Sequence, residues 1–174
     1  MIDEPQAGEI VAVQSPTQLA AIRELFAEWY AWLETEHGID LTYQDVKGEL
    51  ASLPGAYAEP RGGLWLARDG AWRPAGCVAI RPLPDGACEL KRMYVRPAFR
   101  GRGLGRALAG RALAEARARG YTVMRLDTAA FLAAANHLYA DLGFRQTGPY
   151  YDVPPDMLKI TIFMELPLEP GDGR

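Results

Sequence analysis

Nowhere in the 174 residues does an apolar run approach the ~20 residues that cross a bilayer as a helix, so no membrane span is expected. The start, Met1-Ile2-Asp3-Glu4-Pro5, has neither the basic region nor the apolar stretch of a secretory signal, which points to the cytoplasm. Cysteine and histidine are scarce, at two residues each. Cys77 and Cys88 flank an expected hairpin with the loop Pro84-Asp85-Gly86. Its register sets Cys88 opposite Pro82 and leaves Cys77 roughly 17 Å up the ladder, beyond the reach of a disulfide. With only His37 and His137 besides, no ligand set has zinc spacing, and no metal is expected.

What is present is the balance of an ordinary globular domain, 49% hydrophobic and 24% charged. Residues 1–174 read as one domain, with a core at about 10–166 and tails at 1–9 and 167–174. A chain of this length buries roughly 70% of its unfolded surface, so its core needs no disulfide or metal. The net charge of −3 is unevenly spread. Lys91, Arg92, Arg96, Arg100, Arg102, Arg106 and Arg111 form an island without a carboxylate, leaving 12 bases against 22 acids elsewhere. A basic island in an acidic chain suggests a local anionic partner and not a nucleic acid, which would favour a basic domain throughout.

Hydrophobic spacing outlines the elements. Ile10–Val13 reads as a strand, and Ser15-Pro16-Thr17 opens a helix through about Glu36. A shorter helix is expected near Tyr43–Leu50. Gly63–Arg68, Trp72–Leu83 and Ala87–Val95 read as three antiparallel strands joined by short turns. Leu104–Arg119 is an expected helix ended by Gly120, Thr122–Asp127 a strand, Phe131–Leu142 a helix ended by Gly143, and Phe144–Gln146 and Ile160–Leu166 closing strands. The order β-α-α-β-β-β-α-β-α-β-β predicts an α/β fold with a mixed, mostly antiparallel sheet and helices on both faces.

The glycines are the most informative residues. Between the third strand of the meander and the next helix lies Arg100-Gly101-Arg102-Gly103-Leu104-Gly105-Arg106, where glycines let backbone N–H groups converge at a helix N-terminus and arginines supply charge for a phosphate. The Walker pattern fails, since no Gly-Lys-Ser/Thr follows. The dinucleotide fingerprint fails as well, because Arg106 stands three residues after Gly103 and the preceding strands are a meander.

This segment resembles the coenzyme A motif of the GNAT family (GCN5-related N-acetyltransferases), Arg/Gln-x-x-Gly-x-Gly/Ala. Leu90-Lys91-Arg92-Met93-Tyr94-Val95-Arg96-Pro97 is similar to the family's fourth strand, and Ala135-Asn136-His137-Leu138-Tyr139-Ala140-Asp141-Leu142-Gly143-Phe144 to its Ala-x-x-Leu-Tyr-x-x-x-Gly-Phe signature. One departure is Leu132, where many members carry Asn seven residues before the tyrosine. The resemblance implies acetyl transfer from acetyl-CoA directly to an amine of a small molecule or peptide in a ternary complex. It implies cofactor contacts at Met93, Val95, Arg100, Gly101, Arg102, Gly103, Leu104, Gly105 and Arg106. The backbone at Met93 and Val95 would face the pantetheine and stabilise the developing oxyanion. Glu89 matches the general base of the histone-acetylating members, and Tyr139 the residue that protonates or hydrogen-bonds the coenzyme A sulfur.

Two of these assignments have plain alternatives. Arg81 falls opposite Glu89 in the hairpin register, where an ion pair would account for Glu89 without catalysis. Tyr139 could be a packed amphipathic tyrosine. His37, at a helix C-terminus, reads as a surface residue, and His137 points away from Tyr139. Trp29, Tyr30, Tyr150 and Tyr151 border the acceptor site in relatives, or simply pack. A noncatalytic coenzyme A-binding regulatory module is the rival reading, and a homodimer is left open.

Overall fold

The computed structural model describes residues 9–169; residues 1–8 and 170–174, most of the two expected tails, lie outside that range. The elements are β1 (Glu9–Ala12), α1 (Pro16–His37), α2 (Val46–Ser52), β2 (Gly63–Arg68), β3 (Pro74–Pro82), β4 (Ala87–Val95), α3 (Leu104–Ala118), β5 (Val123–Ala129), α4 (Ala133–Asp141), β6 (Arg145–Thr147), α5 (Pro155–Leu158) and β7 (Thr161–Pro167). Local chemistry sets the helix ends. Ser15 and Gln18 form a reciprocal capping box ahead of Pro16, and Gly38 closes α1 in the left-handed conformation at φ 62°.

The strands form one sheet in the order β1-β2-β3-β4-β5-β7-β6. Every pairing is antiparallel except β4 with β5, which α3 connects as a crossover. Alternation along β2 and β3 divides the interior into two layers. Leu64, Leu66, Cys77 and Ala79 pack with Ile22, Leu25 and Phe26 of α1, whereas Trp65, Ala67, Val78 and Ile80 pack with Leu108 and Ala112 of α3. Both cysteines are free and buried.

Strand β4 does not keep this alternation. It pairs with β3 from Pro82–Cys88 through Ala79–Lys91 and then resumes at Cys77–Tyr94, so Arg92 and Met93 together oppose Val78. Arg92 takes a φ of +54° at this bulge. The extra residue reverses the strand's faces: Cys88 and Leu90 belong to the α3 layer, but Tyr94 belongs to the α1 layer. The bend also separates β4 from β5, whose parallel pairing covers only Ala87–Glu89 with Val123–Arg125. Beyond that point the two strands diverge into a wedge.

A buried polar knot holds the bulge. The Arg92 Nε donates to Glu49 of α2 at 3.0 Å and its Nη1 to Gln44 at 2.9 Å, while the Tyr30 and Tyr57 hydroxyls donate to the same Glu49 carboxylate. The Cys77 thiol donates to the Arg92 carbonyl at 3.4 Å. Burial alone would raise the Glu49 carboxyl, but Arg92 and the two phenols outweigh it and hold the group below its ordinary range.

Several expected boundaries move. The helix placed at Tyr43–Leu50 begins instead at Val46, because Asp45 adopts φ 50° and accepts the Gly48 amide at 3.2 Å, leaving Thr42–Gln44 as a separate 3-10 turn. Trp72 does not open β3. It is 66% exposed, with φ 65°, in a turn whose Ala71 and Arg73 amides donate to Asp69. β5 runs on to Ala129, so α4 starts two residues later than expected, and α5 is a turn that no periodicity announced.

Arg92→Ala leaves Glu49 buried beside two phenols with no cation. It should lower the unfolding free energy by about 3–5 kcal/mol in urea titration. Because Glu49 is held below its unfolded value of 4.5, its share of stability is present above that pH and is lost as the pH falls through the folded value. A loss under about 1 kcal/mol would mean that the bulge stands without this pair.

Candidate active site

The glycine turn is built as an open cradle. Gly101 and Gly103 have φ of 75° and 76°, and a Cβ added to either would meet nothing within 4 Å. Gly103 caps α3 without a side-chain acceptor, and the first α3 amide to bond is that of Ala107, to the Gly103 carbonyl at 3.0 Å. The N–H groups of Leu104, Gly105 and Arg106 therefore point outward at the positive end of the helix. Only that backbone is offered at Leu104, since its side chain is in the core at 9% exposure.

The basic island is far less free than its sequence suggests. Five of its seven bases are paired with carboxylates from other parts of the chain: Lys91 with Asp127, Arg92 with Glu49, Arg96 with Glu24 and Glu28, Arg106 with Asp141, and Arg111 with Glu115. Arg100 and Arg102 make no ion pair among the described residues. The Arg100 Nε donates to the Val95 carbonyl at 2.9 Å, and its guanidinium lies 5.5 Å from the Trp32 ring. Local anionic charge complementarity thus comes from two arginines and the α3 amides, not from seven bases.

The wedge between β4 and β5 forms a cavity walled by Met93, Asp127, Thr128, Leu132 and Tyr139, with Trp29 of α1 above. Tyr139 is 6% exposed, and its ring stacks edge-on with Phe144 at 5.8 Å. Burial and the nearby Asp127 charge push its phenol well above the ordinary value, and among the described residues its hydroxyl has no hydrogen-bonding partner. Leu132 contributes an apolar wall. Asn136 does not replace the missing polar group, because its Nδ2 donates to the Ala129 carbonyl at 3.0 Å.

Glu89 lies outside this cavity. It is fully buried, accepting from the Arg81 Nε at 2.7 Å and from the Tyr150 hydroxyl at 3.0 Å, with the Lys91 Nζ at 3.4 Å. The expected Arg81 ion pair is therefore present. Lys91 continues across the head of the wedge to Asp127 at 3.0 Å. Asp127 is the carboxylate that reaches the Tyr139 cavity, and the sequence reading passed it over; its one signal was a carboxylate inside Val123-Met124-Arg125-Leu126-Asp127-Thr128.

A second cavity, of about 650 Å³, lies between α2 and the sheet and includes Arg81, Lys91, Arg92, Glu49 and Tyr151. Tyr43, Gln44, Lys91 and Arg92 belong to both cavities. The four aromatics divide between these surroundings. Trp29 faces the wedge cavity, Tyr30 bonds Glu49, Tyr151 lines the second cavity, and Tyr150 bonds Glu89. His37, read as a plain surface residue, stacks on Phe131 at 4.1 Å, joining the end of α1 to the β5–α4 loop. Among the described residues no group of three or more His, Cys, Asp or Glu is placed to hold a metal, and no helix is long and apolar enough to cross a membrane.

A splayed parallel strand pair next to a glycine cradle at a helix N-terminus defines the architecture of an acyl-CoA N-acyltransferase. Residues 19–144 match the model of the acetyltransferase (GNAT) family, and the chain belongs to that family. It is 40% identical over 152 residues to an uncharacterized N-acetyltransferase of Schizosaccharomyces pombe, covering 87% of this chain and 91% of that one. A Klebsiella pneumoniae acyl-CoA N-acyltransferase structure superposes with a TM-score of 0.72 at 30% identity, covering 93% of this chain and 98% of that one. A Salmonella typhimurium acetyltransferase solved with acetyl-CoA shares the fold, with a TM-score of 0.68 at 24% identity over 96% of this chain and 97% of that one. The chain is accordingly an acetyl-CoA-dependent acyltransferase.

Gly103→Val tests the cradle. A valine at φ 76° is strained by roughly 1–3 kcal/mol, and its branched side chain would occupy the open space beside the turn. Calorimetry should show the dissociation constant for acetyl-CoA raised about 10-fold or more in a folded variant. Wild-type affinity would place the phosphates elsewhere.

Proposed function

We propose that this enzyme transfers an acetyl group from acetyl-CoA to the amine of a small molecule or peptide within a ternary complex. The observation that carries the reading is the wedge cavity, which Met93 of the bulge and Tyr139, whose hydroxyl has no partner among the described residues, both line. Acetyl-CoA supplies the acyl group as a thioester and the leaving group as its thiol. Residues Arg100–Arg106 would hold its phosphates through the free α3 amides with Arg100 and Arg102, and the β4 edge at Met93 and Val95, which β5 does not pair, would face its pantetheine arm.

An alkylammonium with a pKa of about 10 must lose a proton before it can attack. Glu89 and Tyr150 lie behind the cavity walls, so as the base Glu89 would act through Tyr150: an amine proton reaching the Tyr150 hydroxyl oxygen would be taken up as that hydroxyl's own proton passes to the Glu89 Oε1, 3.0 Å away. Burial and Glu89 raise the Tyr150 phenol, so it remains protonated between turnovers. A second reading is favoured by the accessibility of Asp127, which lines the Tyr139 cavity and would take the proton directly. Tyr139 donates a hydrogen bond to the departing sulfur. Its raised pKa keeps the proton in place at neutral pH, which suits donation and not ionisation. The β4 amides at the bulge stabilise negative charge on the carbonyl oxygen.

Tyr139→Phe removes the hydroxyl and little volume. Turnover should fall about 10-fold or more with acetyl-CoA affinity nearly unchanged, and equal turnover with chemistry rate-limiting would reduce Tyr139 to packing.

The base is tested by pH profiles. A base acts only when deprotonated, so activity is lost as the pH falls through its pKa. Glu89→Gln should lower turnover about 100-fold and abolish that acidic limb, while Arg81→Ala should retain it. If Asp127→Asn abolishes the limb and Glu89→Gln does not, the duty belongs to Asp127; a limb that survives both substitutions contradicts both readings.

A further inference from the structure

The second cavity has a lopsided hydrogen-bonding surface. Arg81 spends only its Nε, on Glu89; its side chain is 34% exposed, and among the described residues Nη1 and Nη2 have no partner. Arg92 spends Nε and Nη1 on Glu49 and Gln44, leaving Nη2 without a partner among the described residues although its side chain is only 4% exposed. The Tyr151 hydroxyl is buried and, among the described residues, forms no hydrogen bond of good geometry, while burial and the neighbouring Asp127 carboxylate raise its phenol. All of these groups can donate.

The carboxylates lining the same cavity do not match them. Glu49 already accepts from Tyr30, Tyr57 and Arg92. Asp45 and Asp152 are solvent-exposed, and Asp45 caps α2. Glu89 is sealed behind Arg81 and does not line the cavity. The unused capacity of this wall is therefore a set of donors, the Nη1/Nη2 fork of Arg81 and the single Nη2 of Arg92 among them, and its complement is a carboxylate. Unmet buried donors are costly unless a ligand supplies the acceptors.

We infer that the acceptor is a small amino carboxylic acid whose carboxylate is held by Arg81, Arg92 and Tyr151. The inference rests on the transferase reading for the fate of the amine. Lys91 and Arg92 belong to both cavities, so a molecule anchored at Arg81 extends its amine past Lys91 into the space of Asp127 and Tyr139. Asp127 suits an arriving ammonium, while the carboxylate end is met by the cations at the opposite side of Lys91. A diamine would present a second cation to those same guanidinium groups.

Binding separates this inference from the transferase reading. Calorimetry on the intact protein saturated with coenzyme A, which cannot react, would compare alanine, phenylalanine and aspartate with their C-terminal amides and with putrescine. At least one acid should bind about 10-fold or more tighter than its amide. Tyr151→Phe, which leaves every ion pair in place, should weaken that acid about 3- to 10-fold, and Arg81→Gln about 10-fold or more. Amides binding as well as acids, putrescine binding best, no acid binding at millimolar concentration, or acid binding indifferent to Tyr151→Phe would each overturn it. Thiol release from acetyl-CoA with the same amines reads the other proposal: an acid that binds with this selectivity and is never acetylated supports the carboxylate site and counts against the transferase reading.

Discussion

One inserted residue organises the working half of this molecule. Arg92 turns β4 at a positive φ, and a side chain with little room for movement ties that turn to Glu49 on α2 and to Gln44 just before it. Without the insertion β4 would continue beside β5, their backbones would pair, and the wedge that Met93 and Tyr139 share would close. Two layers of the protein meet here: the knot belongs to the α1–α2 side, and its effect is felt at the cleft toward α3 and α4. A positive φ at a β-branched or long residue is sustained only when its surroundings over-determine it, and here they do so with charge-assisted hydrogen bonds, two phenols and two aromatic faces.

Charge at the site is arranged by subtraction. An island of seven bases would make a broad anion-attracting surface, but acids from α1, α2, α3, β5 and α4 neutralise five of them. Arg100 and Arg102 are left beside the α3 amides, so the attraction is confined to the helix end where the glycines clear space. Salt should therefore weaken ligand binding less than seven free bases would imply. On the opposite face of β4, the series Arg81, Glu89, Lys91, Asp127 alternates in sign through contacts of 2.7, 3.4 and 3.0 Å. It links the second cavity to the wedge through paired charges and leaves donors of Arg81 and Arg92 in reserve.

How much of this was legible in the sequence depended on the range of the interaction. Gly101, Gly103 and the following apolar helix are local signals, and the cradle, its motif and the family resemblance followed from them. The hairpin register put Arg81 against Glu89 because a short turn fixes pairing, and that contact is present. The register beyond Lys91 was not legible, since nothing in Lys91-Arg92-Met93-Tyr94 distinguishes a bulge from regular alternation. Asp127 was missed for a related reason: its importance comes from Lys91, 36 residues earlier in the chain, and from the divergence of two strands that read as ordinary. The pairing of the basic island was invisible because every partner lies outside the island. Asp45 and Trp72 displaced expected boundaries by adopting left-handed turns that glycine would have announced and these residues did not.

The central claim is that a bulge-opened wedge and the adjoining helix end form one continuous coenzyme A site. Amide hydrogen exchange with and without coenzyme A addresses it directly. Protection should appear together at Met93–Val95 of β4 and at Leu104–Arg106 of α3, with the β2–β3 pairing unchanged. Protection at α3 alone, or at neither segment under saturating ligand, would contradict the account.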